Sequence, residues 1–318
     1  MKKIVLLNPA ISSFNLGDHI IYDSVSRELK NLLDDSFIVE VSTHLPVSKW
    51  LKKTKDFDLS FVCGSNLLRG KMNSSFRQWD INLHSVKYIR PSILMGVGWW
   101  QYGDDPNLYT KYLYKRVLSS TEIHSVRDSY TLTQLEKLGY TNVLNTACPT
   151  MWRLDRNHCS TIPQHQSNDV VFTLTDYNQD LVQDTLMIEI LISCYKNVFF
   201  WPQGSNDLVY FRSLKVDQSK VKIINPSLKD YDSILKSRID YVGTRLHAGI
   251  RALQHQRRAI IIGIDNRAIE KQKDFNIVCI RRDMIGSKLK SKITSSFATE
   301  IEIPSENIKI WKKQFKLT

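Results

Sequence analysis

Short β-branched runs alternate with longer amphipathic stretches along the whole chain. In the first half, apolar runs at 3–8, 37–43, 59–63, 92–96, 122–126 and 142–145 have the length and composition of buried strands. Between them, residues 17–33 place Ile20, Ile21, Ser24, Val25, Leu29, Leu32 and Leu33 near one stripe at helical spacing. Stretches 109–119 and 129–138 also read as helices, the second closed by Gly139 as a C-cap. A polar connector at about 155–169, with Pro163 and no periodicity, interrupts the pattern. The alternation then restarts, with strands at 170–175, 198–201, 221–225, 239–243, 259–264 and 277–281. Helices at 180–195, 228–237, 248–254 and 267–273 fall between these strands. Such alternation builds parallel sheets covered by helices. It predicts two Rossmann-like, doubly wound α/β domains facing each other across a cleft, over 1–155 and 169–303. Residues 304–318 predict a short basic amphipathic helix, with Ile308, Trp311 and Phe315 on one face among Lys309, Lys312, Lys313 and Lys316.

Composition narrows the class. Of 318 residues, 42% are hydrophobic and 24% charged, an ordinary globular balance with room for two cores. The opening Met1-Lys2-Lys3 precedes only four apolar residues before Asn8, so a first strand is expected there rather than a signal peptide. No run approaches the roughly 20 apolar residues that span a bilayer, and a cytoplasmic location is expected. Cys63, Cys148, Cys159, Cys194 and Cys279 are scattered, with no CxxC pair and no Cys/His spacing of a zinc site, so neither disulfides nor a metal are expected. The net charge of +12 is spread along the chain without a recognition-helix, RNP or zinc-finger pattern. Nucleic acid is therefore not an expected partner, whereas a small anionic donor or an anionic membrane surface suits the charge.

In open parallel sheets ligands sit beyond the carboxyl ends of the strands, so the chemistry is sought there. After the first strand, Asn15-Leu16-Gly17-Asp18 opens a helix; Gly17 permits close approach by a ligand, or simply eases a turn capped by Asp18. No GxGxxG accompanies it, so a nicotinamide or flavin cofactor is not expected. The third and fourth strands end in Gly64-Ser65-Asn66 and Gly96-Val97-Gly98-Trp99-Trp100, small residues that suit the lining of a cleft. Trp99 and Trp100 either stack on a sugar face or fill the core. Arg127-Asp128-Ser129 opens another helix, where Arg127 either forks onto an anion or pairs with Asp128. The strongest element is Arg245-Leu246-His247, at the end of a buried strand and the start of a small-residue helix. On a still-extended segment Arg245 and His247 would point the same way, joining a fixed cation to a titratable imidazole. His247 then reads as a general acid. Asp265-Asn266-Arg267 ends the next strand within reach of the same pocket, with Glu270 and Lys271 one turn on.

Taken together, these pieces resemble the polysaccharide pyruvyl transferase family. The resemblance rests on Asn15, Gly17 and Asp18, the Gly-containing strand ends, Arg127 to Ser129, Arg245-Leu246-His247-Ala248 with Ala252-Leu253, and Gly263 to Asp265. It implies a GT-B-like fold and transfer of pyruvate from phosphoenolpyruvate (PEP) onto two hydroxyls of a sugar or lipid-linked glycan, giving a ketal. It implies that Arg245 binds PEP and His247 is the acid, with Arg127 a second anion contact and no cofactor beyond the donor. Asn15, Gly17, Gly64, Ser65, Asn66, Gly98, Asn266 and Lys271 are further substrate-binding candidates, and Asp18 and Asp265 are candidates for the base. Many relatives carry a run of glycines where this chain has Gly64-Ser65-Asn66, and Ala147-Cys148-Pro149-Thr150 looks like a subgroup's pattern. One alternative is a GT-B-like glycosyltransferase with a nucleotide-sugar donor. Another is a non-catalytic polyanion- or glycan-binding protein with strongly salt-dependent binding. The C-terminal helix is expected to pack back on the N-terminal domain; in the alternative it lies peripherally on the inner face of the membrane.

Overall fold

The computed structural model describes residues 1–30, 32–33, 35–47, 51, 56–103 and 105–315. The chain divides into two compact units: Met1–Ser13, Ile21–Trp152 and Ile303–Thr318 form unit 1, and Phe14–Ile20 with Arg153–Glu302 form unit 2. This differs from a contiguous cut in the connector, because the segment around Asn15 groups with the C-terminal half.

In unit 1, β1 (Lys2–Asn8) pairs in parallel with β2 (Ser36–Ser42) and β3 (Leu59–Cys63), and β3 with β4 (Ser92–Met95). The order is β2-β1-β3-β4. A parallel pair, β5 (His124–Val126) and β6 (Val143–Asn145), follows, joined to the end of β4 by a parallel bridge from Val97 to Val126. Apolar runs become strands here because both faces are covered; β3 and β4 are buried almost throughout. Helix α1 (Leu16–Lys30) opens in unit 2 and continues in unit 1. Helices α2 (Leu108–Val117) and α3 (Ser129–Lys137) start where Asn107 and Asp128 accept the amides of Thr110 and Thr131.

The longer segment of unit 2 begins with the short α4 (Arg156–Ser160). It then alternates β7 (Asp169–Thr173), α5 (Leu181–Cys194), β8 (Asn197–Phe200), α6 (Asp207–Ser213), β9 (Val221–Ile223) and α7 (Leu228–Ile234). β10 (Asp240–Gly243), α8 (Leu246–Gln254), β11 (Ala259–Gly263), α9 (Asn266–Phe275), β12 (Cys279–Arg281) and α10 (Lys290–Thr294) complete it. Its six-stranded parallel sheet has the order β12-β11-β10-β7-β8-β9. Counted within the unit this is the 3-2-1-4-5-6 arrangement of dinucleotide-binding folds, with its switch point between β7 and β10. Helix α6 is absent from the hydrophobic pattern read above, since it is short.

The last helix, α11 (Ser305–Lys313), buries Trp311 completely within unit 1. Trp311 meets Trp152 and Phe61 edge-on at centroid distances of 5.7 and 6.3 Å, and Phe315 at 4.9 Å. Lys312 pairs with Glu28, and Gln314 exchanges two hydrogen bonds with the Ile123 backbone. The apolar face that a membrane contact would need is therefore covered within this unit; residues 316–318, including Lys316, lie outside the described residues. Among the described residues no helix is long and apolar enough to cross a membrane.

Candidate active site

The switch point of unit 2 gathers the loops that follow β7, β8 and β10. Arg245 lies two residues past the end of β10 and stands at the N-cap position of α8, so the backbone already turns helical at Leu246. His247 is buried in the first turn of α8. The two residues thus do not lie on one extended segment, as expected above; the helix starts between them.

Arg245 is 4% exposed, and carboxylates hold most of its guanidinium. Its Nε donates to Asp207 Oδ2 at 3.1 Å and to the Leu174 carbonyl at 2.9 Å. Its Nη2 donates to Asp176 Oδ1 at 2.7 Å and to Asp207 Oδ1. Only Nη1 makes no hydrogen bond among the described residues. Most of the guanidinium is thus engaged within the protein, and Nη1 is the N–H group left over. Asp207, at the first position of α6, also accepts the amides of Asp176, Gln203 and Gly204 at 3.1, 3.1 and 2.7 Å. Burial raises its carboxyl above the ordinary range, while Arg245 and the Gly204 amide pull it back down. Burial works against the Arg245 charge too, and the Asp207 carboxylate outweighs it, so its pKa rises. A Cβ on Gly204 would fall 2.3 Å from Arg245 Nη2, so that loop approaches the guanidinium only as glycine.

Asn15, Gly17 and Asp18 belong to the same unit. Leu16 N–H donates to the Gln203 carbonyl at 2.9 Å, and Gln203 Nε2 donates to Asn15 Oδ1 at 2.8 Å. Asn15 Oδ1 also accepts Gly17 N–H at 3.0 Å. The structure therefore joins the first turn of α1 to Arg245 through Gln203 and Asp207. Sequence reasoning missed Asp176, Tyr177, Gln203, Gly204 and Asp207. The one available signal was Gly204 beyond a strand end.

At the start of α9 the picture changes for three candidates. Asp265 caps the helix by accepting Arg267 N–H at 3.0 Å and pairs with the Arg267 guanidinium, so it is engaged as a cap rather than poised as a base. Asn266 is buried. Lys271 is fully buried, its ammonium 5.4 Å from the Phe275 ring centroid. Arg267 instead donates to the Tyr177 hydroxyl, and Tyr177 is 58% exposed with Arg245 5.1 Å from its ring centroid. An aromatic ring pinned by two cations therefore stands beside the β7 end.

In unit 1 the strand-end glycines serve packing. Gly64 and Ser65 both take left-handed backbone, with φ of 76° and 62°. Ser65 O accepts Gly98 N–H at 2.8 Å, and Asn66 Nδ2 donates to Trp100 O at 3.4 Å. A Cβ on Gly98 would lie 2.0 Å from Arg127 Nε, so this glycine makes room for the arginine. Arg127 is buried and pairs with Asp128 at 3.1 Å, the structural alternative left open above. Gly96 has φ of 64°, and its missing Cβ is replaced by Pro149, 2.1 Å from where a Cβ would be. The Ala147–Thr150 segment is thus built against the β4 end. Trp99 is core, edge-on to Tyr114 at 6.4 Å, while half-buried Trp100 contacts Phe76 and lies 4.7 Å from the Arg69 guanidinium.

The family model described as Polysaccharide pyruvyl transferase matches residues 15–266, a span running from the α1 turn through Arg245-Leu246-His247 to the start of α9. No curated protein matches the sequence. Among solved structures, the S. aureus MnaA-UDP co-structure is 9% identical with a TM-score of 0.55, over 99% of this chain and 97% of that chain. The Methanocaldococcus jannaschii UDP-GlcNAc 2-epimerase in complex with UDP-GlcNAc and UDP is 10% identical with a TM-score of 0.54, over 99% of each chain. At such identity the likeness concerns the fold, which is GT-B-like.

Proposed function

The chain belongs to the polysaccharide pyruvyl transferase family and is a transferase, and on that premise we propose that it moves pyruvate from PEP onto two hydroxyls of a sugar acceptor. The observation that carries this reading is the place of Arg245-Leu246-His247: inside the matched span and at the switch point of the unit 2 sheet. A role in binding alone is set aside, because the family is one of enzymes.

The chemistry follows from PEP itself. Its carboxylate and phosphate favour N–H donors, which Arg245 Nη1 and the first-turn amides of α8 provide. His247, in that first turn, gives a proton to the methylene carbon. C2 then carries oxocarbenium character and is attacked by one sugar hydroxyl. Phosphate departs, and the second hydroxyl closes the ketal. One hydroxyl proton restores His247 and the other leaves with phosphate, so the sum is PEP plus diol giving ketal plus phosphate. Asp18, in the first turn of α1, is the assigned relay that takes the second hydroxyl's proton and passes it to the departing phosphate, with Asn15 and Gly17 shaping that turn. Asp265 is not assigned this role, being spent on α9. A sugar or lipid-linked glycan is the acceptor.

The solved structures of similar fold hold UDP, which supports a second reading, glycosyl transfer from a nucleotide-sugar. Thermal-shift measurement separates the two. PEP is expected to raise the melting temperature and, with a glycoside, to yield inorganic phosphate. Stabilisation by UDP-GlcNAc and none by PEP would replace the first reading with the second.

A further inference from the structure

Gln203 is buried just past β8, beside the switch point, and its carboxamide orientation is determined by its neighbours. Asn15 Oδ1 already accepts Gly17 N–H at 3.0 Å, so it is an acceptor, and the Gln203 atom 2.8 Å from it must be the Nε2 donor. Oε1 therefore points elsewhere. It is buried and finds no hydrogen-bond partner among the described residues. The rest of the residue is fully engaged: its carbonyl accepts Leu16 N–H and its own N–H donates to Asp207. A Cβ on Gly17 would lie 2.7 Å from Nε2, so glycine there lets the carboxamide and the α1 turn meet. A residue present only for packing would have its acceptor satisfied or lack one, because an unmet buried acceptor is destabilising.

We propose that Gln203 is a binding residue for the acceptor sugar, its Oε1 receiving a hydrogen bond from a sugar hydroxyl. The assignment rests on the transfer reading above but names a different partner from the anion corner. An amide oxygen needs a donor hydrogen. Ionised PEP offers carboxylate and phosphate oxygens only, whereas a sugar offers hydroxyls. The position suits this, because Gln203 N and Arg245 Nε each lie 3.1 Å from the same Asp207 oxygen. The Gln203 backbone is thus fixed to the same carboxylate that holds Arg245. A neutral amide orients that hydroxyl without removing its proton. It also disfavours ligands lacking the hydroxyl, which would leave Oε1 unmet.

The test uses the full chain with PEP and a panel of p-nitrophenyl glycosides (galactoside, glucoside, mannoside, N-acetylglucosaminide), comparing wild type, Q203M and Q203E. Q203M removes the unmet acceptor at similar size. Its KM for the glycoside is expected to rise at least tenfold with KM for PEP unchanged, while the folded circular-dichroism spectrum is retained despite the lost bond to Asn15. Q203E keeps acceptor oxygens and is expected to recover part of the glycoside KM. An unchanged glycoside KM in Q203M overturns the assignment, whatever its melting temperature. If wild type releases no phosphate with any glycoside, the pyruvyl reading has failed, and Gln203 is judged on glycoside-induced melting shifts instead. A shift in wild type that Q203M lacks upholds it; equal shifts, or none in wild type, overturn it.

Discussion

Arg245 is tied to carboxylates 38 and 69 residues away in sequence, and those ties decide what its replacement would do. Lysine conserves the charge but has neither Nε–H nor a planar fork, so Asp207 would lose both of its guanidinium bonds while staying buried. Arg245→Lys is therefore expected to lower unfolding free energy by about 1.5–3 kcal/mol, the scale of hydrogen bonds lost from a buried charge. Urea denaturation followed by circular dichroism would measure it, and a loss confined to PEP affinity would contradict this account. His247 predicts the opposite split. His247→Asn should reduce phosphate release at least about a hundredfold, the scale of a lost general acid, with the folded spectrum retained. Near-normal turnover would refute its role as proton donor.

Strand ends and the last helix carry the next scale. Gly98 lies where β4 hands over to the loop that packs on Arg127, and an added Cβ would overlap that guanidinium. Gly98→Ala should cost about 1–3 kcal/mol, as overpacking of a filled core does, and thermal melting would register it. In α11 the apolar stripe readable from Ile308, Trp311 and Phe315 is real, but only the tertiary contacts say what covers it. Trp311→Ala should cost about 3–5 kcal/mol. Deleting 305–318 should accordingly lower stability and leave sedimentation with anionic liposomes unchanged; vesicle binding that depends on this segment, in a protein that still folds, would restore the membrane alternative.

At the scale of the whole molecule, a buried histidine makes stability depend on pH. His124 on β5 is held neutral: its Nδ1 accepts Leu94 N–H at 3.2 Å and its Nε2 donates to Ser119 O at 2.9 Å. Burial pushes its pKa down to about 4. The unfolded chain, near 6.5, binds the proton first, so stability is complete above pH 6.5 and falls as pH drops toward 4. The loss from this group is at most about 3 kcal/mol. Denaturant midpoints between pH 7 and 4 should follow that slope, and His124→Gln should flatten it. An unchanged slope in the variant would place the acid sensitivity elsewhere.

What the amino-acid order determined by itself is the alternation. β-branched runs of strand length separated by capped amphipathic helices place most strands and helices within a few residues of where they lie, because local periodicity and capping act over one or two turns. The same order exposed Arg245-Leu246-His247 as a strand-to-helix junction. It did not disclose α6, too short to show a period, nor that Asp207 at its start would claim the arginine. Gln203 and Asn15 stand 188 positions apart, and nothing local links them. Such pairings follow from which strands become neighbours in the sheet. Tertiary structure alone therefore decided that Arg245 is a mostly occupied cation, that Asp265 caps α9 and pairs with Arg267, that Lys271 is buried, and that Gln203 keeps one unmet acceptor.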